Sequence, residues 1–140
     1  MNKNYHYLIM SNHSIFQKKV LTALEGTGLT KGQPKILDYL NVYDGCMQKD
    51  IASGCQIDPA TVTGLLNRME DKGLIERRSS DRRSLHVYLT EAGRQKTAIV
   101  EKVFDELEEE VLNCLSEEEK NALILTLNKI YKHTTTKGDK

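Results

Sequence analysis

Residues 58–73 read DPATVTGLLNRMEDKG and carry the features of one well-bounded helix. Asp58 is a favoured N-cap, because its carboxylate can accept the unpaired N–H groups of the first turn, and Pro59 suits the first helical position. Gly73 is a favoured terminator. The apolar residues recur at the spacing of one helical face: Val62, Leu65, Leu66 and Met69. The pattern predicts a helix with an aliphatic inner side.

The opposite side of this helix is slim and polar. Its members are Ala60, Thr61, Thr63, Gly64, Asn67 and Arg68. The major groove of DNA is about 12 Å wide and admits one helix if the leading face is not bulky. Threonine can donate to phosphate or touch a thymine methyl, asparagine can pair with adenine, and arginine can bind guanine or phosphate. Gly64 permits close approach at about 1 kcal/mol of helix propensity relative to alanine.

A shorter helix precedes this one, and a β-hairpin follows it. The shorter helix covers about residues 48–54, and the first strand about residues 74–78. On the second strand Leu85, Val87 and Leu89 alternate with polar residues, as in a half-buried strand. Helix, turn, helix and hairpin is the order of a winged helix-turn-helix, in which the second helix enters the major groove.

The hairpin concentrates four guanidinium groups within seven residues: Arg77, Arg78, Arg82 and Arg83. A narrow minor groove attracts arginine because its negative potential is enhanced. Asp81 is expected to pair with a neighbouring arginine and so fix the tip. An arginine-rich turn or a polar helix face alone is common on solvated surfaces, but their joint occurrence predicts DNA binding.

Capping patterns predict where other helices begin. Thr30 with Gln33, and Ser116 with Glu119, match capping boxes, in which two residues exchange side chain–backbone hydrogen bonds. Thr90 is the expected cap of the fifth of six helices, and the first covers about residues 5–25. The expected fold class is mainly α with a small β-hairpin wing.

Apolar stripes on the outer helices predict a homodimer. The stripe of the first helix holds Ile9, Phe16, Val20 and Leu24, and the last helix is marked by Leu123, Ile124, Leu127, Ile130 and Tyr131. On the fifth helix the expected buried residues are Ile99, Val100, Val103, Phe104, Leu107, Val111 and Leu112. These stripes exceed what one small winged domain can cover, and such a patch is unusual on a monomer. A twofold dimer would place its recognition helices about one DNA turn, roughly 34 Å, apart and read a pseudo-palindromic site.

We therefore predict one domain over residues 1–140. Residues 30–90 form the winged helix-turn-helix region, with the helix-turn-helix at about 48–71 and the wing at about 74–90. Residues 1–28 and 91–135 form the helical dimerisation region.

Composition sets weaker bounds. The length of 140 residues suits one domain. The sequence contains no run of eighteen apolar residues, so we expect no membrane-spanning helix. Three cysteines, Cys46, Cys55 and Cys114, cannot close a disulfide framework and fit a reducing cytoplasm. The net charge is zero, but residues 1–100 hold 14 basic and 10 acidic side chains, whereas residues 101–140 hold 6 and 10. One basic edge can bind phosphate although the whole chain is neutral.

Other functions find less support. No Gly-rich phosphate loop, nucleophile elbow or His-Glu ligand pair is present, so we expect no enzymatic activity and no cofactor. A protein-binding adaptor is an alternative, because winged helices also bind proteins, but the arginines favour DNA. Metal sensing through His6 and His13, and thiol sensing through Cys46, are variants of the main hypothesis. The Cys46–Cys55 spacing does not resemble a zinc site.

Five ordered motifs resemble the MarR family of bacterial regulators. They are Leu29-Thr30 with Gln33, Asp58 to Thr63, Leu65 to Arg77, Asp81-Arg82-Arg83, and Leu89 to Arg94. The resemblance spans nearly the whole chain, about residues 5–132, and one departure is Gly64, where many members carry arginine. The peroxide-sensing branch uses a cysteine in the first helix, and this first helix has none.

The resemblance implies a function and a set of site residues. It implies a dimer whose terminal helices intertwine and whose two winged domains grip a palindrome, usually as a repressor. It places Thr61, Thr63, Asn67 and Arg68 on the recognition helix, and Asp81 and Arg83 in the wing Asp-x-Arg motif, with the arginine in the minor groove. A cleft between the dimerisation and DNA-binding regions is implied, where many members bind small anionic or phenolic effectors.

Overall fold

The structure, a computed structural model, describes residues 3–81 and 84–136. In these two ranges the chain forms six helices and one hairpin: α1 (Tyr5–Ala23), α2 (Gln33–Val42), α3 (Gln48–Cys55), α4 (Pro59–Asp71), β1 (Ile75–Asp81), β2 (Ser84–Leu89), α5 (Glu91–Leu112) and α6 (Glu117–Thr136). The expected fold class, mainly α with a hairpin wing, is confirmed. The chain divides into two compact units between Asp105 and Glu106. Each helix in the described ranges is too short or too polar for a transmembrane segment.

The core of the first unit is aliphatic and is shared by α2, α3, α4, β2 and the first half of α5. The apolar residues with 0% exposure are Ile36, Leu37, Leu40, Ile51, Val62, Leu66, Met69, Val87 and Val100. Leu65 is 3% exposed, so all four apolar residues predicted for the inner side of α4 are buried. The 3.6-residue period therefore predicted the inner side of α4 correctly.

Local backbone chemistry explains where the helices begin. The Asp58 carboxylate accepts the Thr61 N–H at 3.0 Å, and the Thr90 hydroxyl accepts the Gly93 N–H at 3.0 Å. The Ser116–Glu119 capping box is present in both directions. At α2 the Gln33 side chain accepts the Thr30 N–H at 3.0 Å, but the helix begins only at Gln33.

The late start of α2 follows from its first residues. Gly32 has a φ of 90°, a left-handed conformation that ends any helical run from Thr30. Pro34 follows in the first turn of α2, where its missing N–H is not needed.

Some burial predictions for β2 and α5 are wrong, and α6 is left uncovered. Leu85 is 45% exposed because it lies opposite Ser79, away from the buried base of the hairpin. On α5, Ile99 is 43% and Val111 37% exposed. Among the described residues of α6 none is buried. These apolar side chains find no cover within their own unit.

Candidate nucleic-acid interface

The outer side of α4 is presented to solvent as predicted. Ala60, Thr61, Thr63, Asn67 and Arg68 are exposed, and Gly64 is half-buried. Because the inner side of α4 is buried in the core, this helix cannot rotate without exposing four aliphatic side chains. The outer side is therefore fixed in its orientation.

Both threonine hydroxyls on this face donate within the helix. The Thr61 hydroxyl donates to Asp58 Oδ2 at 2.6 Å, and this bond holds the pKa of Asp58 below its ordinary value. The Thr63 hydroxyl donates to the Pro59 carbonyl at 3.0 Å and accepts from Gln48 Nε2 at 2.9 Å. Since a hydroxyl has one hydrogen, these side chains offer methyl groups and lone pairs. The geometry favours thymine-methyl contact over the predicted donation to phosphate.

The side chain of Arg68 passes close to Gly64 on the outer side of α4. A Cβ atom built on Gly64 would lie 3.6 Å from Nη1 of Arg68, an ordinary van der Waals contact, and would meet no other described side chain beyond its immediate neighbours within 4 Å. The Arg68 guanidinium thus lies along the outer side of α4, over the position that lacks a side chain. The outer side of α4 therefore has little bulk at position 64 and still carries the positive charge of Arg68.

Arg77 points from β1 toward α4 and is largely covered, whereas Asn67 and Arg68 are exposed. Its Nη2 donates to Glu70 Oε1 and to Asn67 Oδ1, both at 2.7 Å, and its side chain is 16% exposed. Glu70 Oε2 also accepts the Arg77 N–H at 3.1 Å. The bond from Arg77 holds the pKa of Glu70 below its ordinary value. This geometry does not favour the predicted DNA contact for Arg77.

Arg78 lies on the other face of the hairpin. Its guanidinium carbon stands 4.2 Å from the ring centroid of Tyr88, a cation–π contact, and its Nη2 pairs with Glu76. The side chain remains 61% exposed. Exposed ion pairs of this kind are weak, so Arg78 can exchange Glu76 for a phosphate.

Asp81, the last residue of β1, binds Ser84, the first residue of β2. Its Oδ1 accepts the Ser84 N–H at 3.1 Å and the Ser84 hydroxyl at 3.2 Å. The arginines expected to pair with Asp81, Arg82 and Arg83, lie outside the described residues. Their predicted contact with DNA stays a prediction.

The base of the wing is tied to the segment before α3. Gly45 N–H donates to the Val87 carbonyl at 2.8 Å, and Val87 N–H donates to the Cys46 carbonyl at 2.9 Å. Asp44 accepts the Leu89 N–H at 2.8 Å and the Arg94 guanidinium at 3.0 Å. These bonds hold the hairpin beside α3 and α4.

Comparison with known proteins identifies the family. A model of the MarR family matches residues 29–85. The Staphylococcus aureus MepR–DNA complex is 32% identical to this chain, covers 95% of it and 99% of the MepR chain, and has a TM-score of 0.85. The chain belongs to the MarR family.

Two further relatives of this MarR-family chain are informative. An uncharacterised HTH-type transcriptional regulator of Bacillus subtilis, YwoH, is 29% identical over 87% of this chain and 90% of its own. A MarR-family protein of Mycobacterium tuberculosis, solved with salicylic acid, is 25% identical, with 92% and 97% covered and a TM-score of 0.73. The family consists of transcriptional regulators, and this MarR protein is a DNA-binding transcriptional regulator.

Two residues of this MarR site, Gln48 and Glu70, are not among those that the sequence pattern predicts. Gln48 ties α3 to the outer side of α4 through Thr63, and Glu70 ties α4 to β1 through Arg77. Glu70 stands at the edge of the apolar stripe, where a carboxylate is usually solvated. Arg77 follows it by seven residues across the Gly73 turn, a spacing that no periodic pattern reveals.

The cysteine chemistry does not favour the thiol-sensing variant. Cys46 is half-buried, and burial, followed by the charge of Asp50, raises the pKa of its thiol to about 11. Since the thiolate is the reactive form, this thiol is a poor peroxide target near neutral pH. For metal sensing, no group of three His, Cys, Asp or Glu side chains with ligand geometry occurs in residues 3–81 and 84–136.

Proposed function

We propose that this MarR protein represses transcription as a homodimer bound to a pseudo-palindromic duplex. The outer side of α4 enters the major groove through Thr61, Thr63, Gly64, Asn67 and Arg68. Arg78, Arg82 and Arg83 of the wing contact the neighbouring backbone and minor groove, with Asp81 fixing the tip. The observation that carries this proposal is that the polar outer side of α4 is exposed while its inner side is buried in the core, which fixes the orientation of the helix.

Exposed apolar side chains support the dimer. On α6, Ile124 is 50%, Leu127 38% and Tyr131 51% exposed, and they share one helical stripe. On α1, Leu8 is 43% and Ile15 54% exposed. A second copy would cover such surfaces. Residues 1–28 and 91–135 accordingly form the proposed dimerisation region, and residues 30–90 the DNA-binding region.

A small anionic or phenolic effector is the proposed releasing ligand. Support comes from the mycobacterial relative that was solved with salicylic acid. An effector releases DNA only if it binds the DNA-free conformation more tightly than the bound one. We further propose that the chain acts in the cytoplasm and catalyses no reaction, in keeping with a family of transcriptional regulators.

The test is selection from random duplex DNA followed by affinity measurements over a range of salt concentrations. The selected site is expected to have two half-sites about one turn apart. Arg83→Ala should lower the salt slope by about one unit per lost phosphate contact. Asn67→Ala should instead relax sequence preference at one position per half-site.

Two outcomes would overturn the proposal. Failure of the folded, effector-free protein to bind any duplex at low salt would exclude the DNA-binding site. Salt-independent association with a protein, without DNA binding, would favour the adaptor alternative.

A further inference from the structure

Besides its bonds to Glu70, Arg77 of the wing donates a hydrogen bond to Asn67 on the outer side of the recognition helix. The guanidinium of Arg77 is 2.7 Å from Asn67 Oδ1, ten positions away in sequence. Asn67 itself is exposed on the outer side of α4. A side chain in the proposed base-reading position is therefore already held by one hydrogen bond before DNA arrives.

The chemistry of this bond fixes which end of the amide is which. A guanidinium group has only donors, so the Asn67 atom that faces it must be the carbonyl oxygen. The opposite end of the amide is the NH2 group. Arg77 thus determines the polarity with which Asn67 meets a ligand.

Glu70 fixes the position of Arg77, which in turn binds the side-chain amide of Asn67. The Glu70 carboxylate accepts both the side chain and the backbone N–H of Arg77, at 2.7 and 3.1 Å. Charge-assisted bonds of this kind are stronger than neutral ones, and Arg77 is largely covered. Glu70, Arg77 and Asn67 therefore form a chain of hydrogen bonds. It runs from Glu70 on α4 to Arg77 on β1 and back to Asn67 on the outer side of α4.

We propose that Arg77 is a positioning residue for sequence recognition, which orients Asn67 so that its NH2 group faces the DNA as a hydrogen-bond donor. The inference rests on the proposed function, since it assumes that the outer side of α4 lies in the major groove. In that groove guanine, adenine and thymine present acceptors, whereas cytosine presents only its N4 donor. The base that faces Asn67 is therefore one other than cytosine.

The experiment measures affinity for the selected operator and for duplexes that carry each of the four bases at every position of one half-site. The variants are Asn67→Ala, Arg77→Met and the double variant. Arg78→Met is the matched control, because it removes the neighbouring arginine from the other face of β1. Unfolding midpoints of all variants are measured alongside.

We expect wild type to disfavour cytosine at one position by about 5-fold or more. Arg77→Met and Asn67→Ala should both lose this preference at the same position, and the double variant should lose no more than either. Arg78→Met should retain the preference while lowering the salt slope. A merely structural role of Arg77 would lower the affinity for all duplexes together and leave their ratios unchanged, which would overturn the proposal.

Asn67→Asp tests the same claim if Arg77→Met does not fold. Aspartate still accepts from Arg77 but has no donor, and it can accept from cytosine N4. The preference at this position should therefore shift toward cytosine. An unchanged preference in Asn67→Asp would contradict the inference while leaving DNA binding intact, whereas failure of wild type to bind any duplex would overturn the proposed function itself.

Discussion

The helices α4 and α6 are both amphipathic, yet the chain buries the apolar side of α4 and leaves that of α6 uncovered. The four inner residues of α4 are at most 3% exposed, whereas the described part of α6 has no buried residue. One helix is therefore complete in its own unit and has its polar side free for another molecule. The other has an apolar side that its own unit does not cover. The same periodic pattern thus predicts a core in one place and an interface in the other.

Truncation in α4 should give the largest effect on this comparison. Leu66→Ala removes a fully buried side chain and should lower the free energy of unfolding by about 2–5 kcal/mol, because it loses burial and leaves a cavity. Leu125→Ala, on a residue that is 70% exposed in α6, should change it by less than about 0.5 kcal/mol. Urea denaturation measures both. Equal losses would mean that α4 is not the better packed helix.

Alanine substitutions at two glycines compare how tightly α5 and the outer side of α4 pack against neighbouring atoms. A Cβ on Gly93 of α5 would lie 1.9 Å from the Leu74 carbonyl oxygen, so Gly93→Ala should cost about 1–3 kcal/mol through overpacking. Gly64→Ala on the open side of α4 should instead raise the free energy of unfolding by up to about 1 kcal/mol, through helix propensity. Thermal unfolding of the two variants distinguishes them. A destabilised Gly64→Ala protein would contradict an open outer side.

A charge on the apolar stripe of α6 tests whether another copy covers it. Leu127→Glu should raise the dimer dissociation constant by about tenfold or more, since a carboxylate would be desolvated at the interface. Leu125→Glu is the matched control, because residues two apart project about 200° from each other on a helix. Sedimentation equilibrium measures both against twice the 15.9 kDa chain mass. Dissociation by Leu125→Glu alone would place the interface on the wrong side of α6.

The smallest expected effect on stability comes from the carboxylate of Glu101, which packing partly buries. Burial raises the pKa of Glu101 on α5 to about 7, with the hydrogen bond and charge of Asp38 and the charge of Asp105 adding to the shift. Between the ordinary value of 4.5 and about 7 the folded chain binds a proton that the unfolded chain does not. The stability of wild type therefore falls as the pH rises through this range.

Glu101→Gln removes that penalty. The variant should be more stable than wild type by about 1 kcal/mol at pH 8 and nearly equal to it at pH 5. Glu108→Gln, an exposed residue of the same helix, controls for the loss of one charge. Urea unfolding at the two pH values measures the difference. A gain that was the same at both would show that the buried charge is not its cause.

Sequence reasoning succeeded where the cause is local. The Asp58 and Thr90 caps, the Ser116–Glu119 box and the inner residues of α4 follow from short-range hydrogen bonding and helical period. It failed where the cause is distant in sequence. The hydrogen bonds among Glu70, Arg77 and Asn67 and the pairing of Asp38 with Glu101 join different elements, and no spacing in the sequence predicts them.

The apolar stripes of α5 and α6 show a third situation. Their period marks an apolar face, but period cannot say whether the surface that covers this face belongs to the same chain or to another. Leu85 is similar, because alternation along a strand does not reveal how far along the hairpin the core extends.

The central claim, that the outer side of α4 lies in the major groove, has one direct test. The selected operator is synthesised with uracil for thymine and 7-deazapurines for purines, one position at a time, because these replacements alter only the major-groove edge. The account predicts that affinity falls at a few adjacent positions in each half-site, where the Thr61 and Thr63 methyl groups and Asn67 meet the bases. Full affinity for every substituted duplex would contradict it.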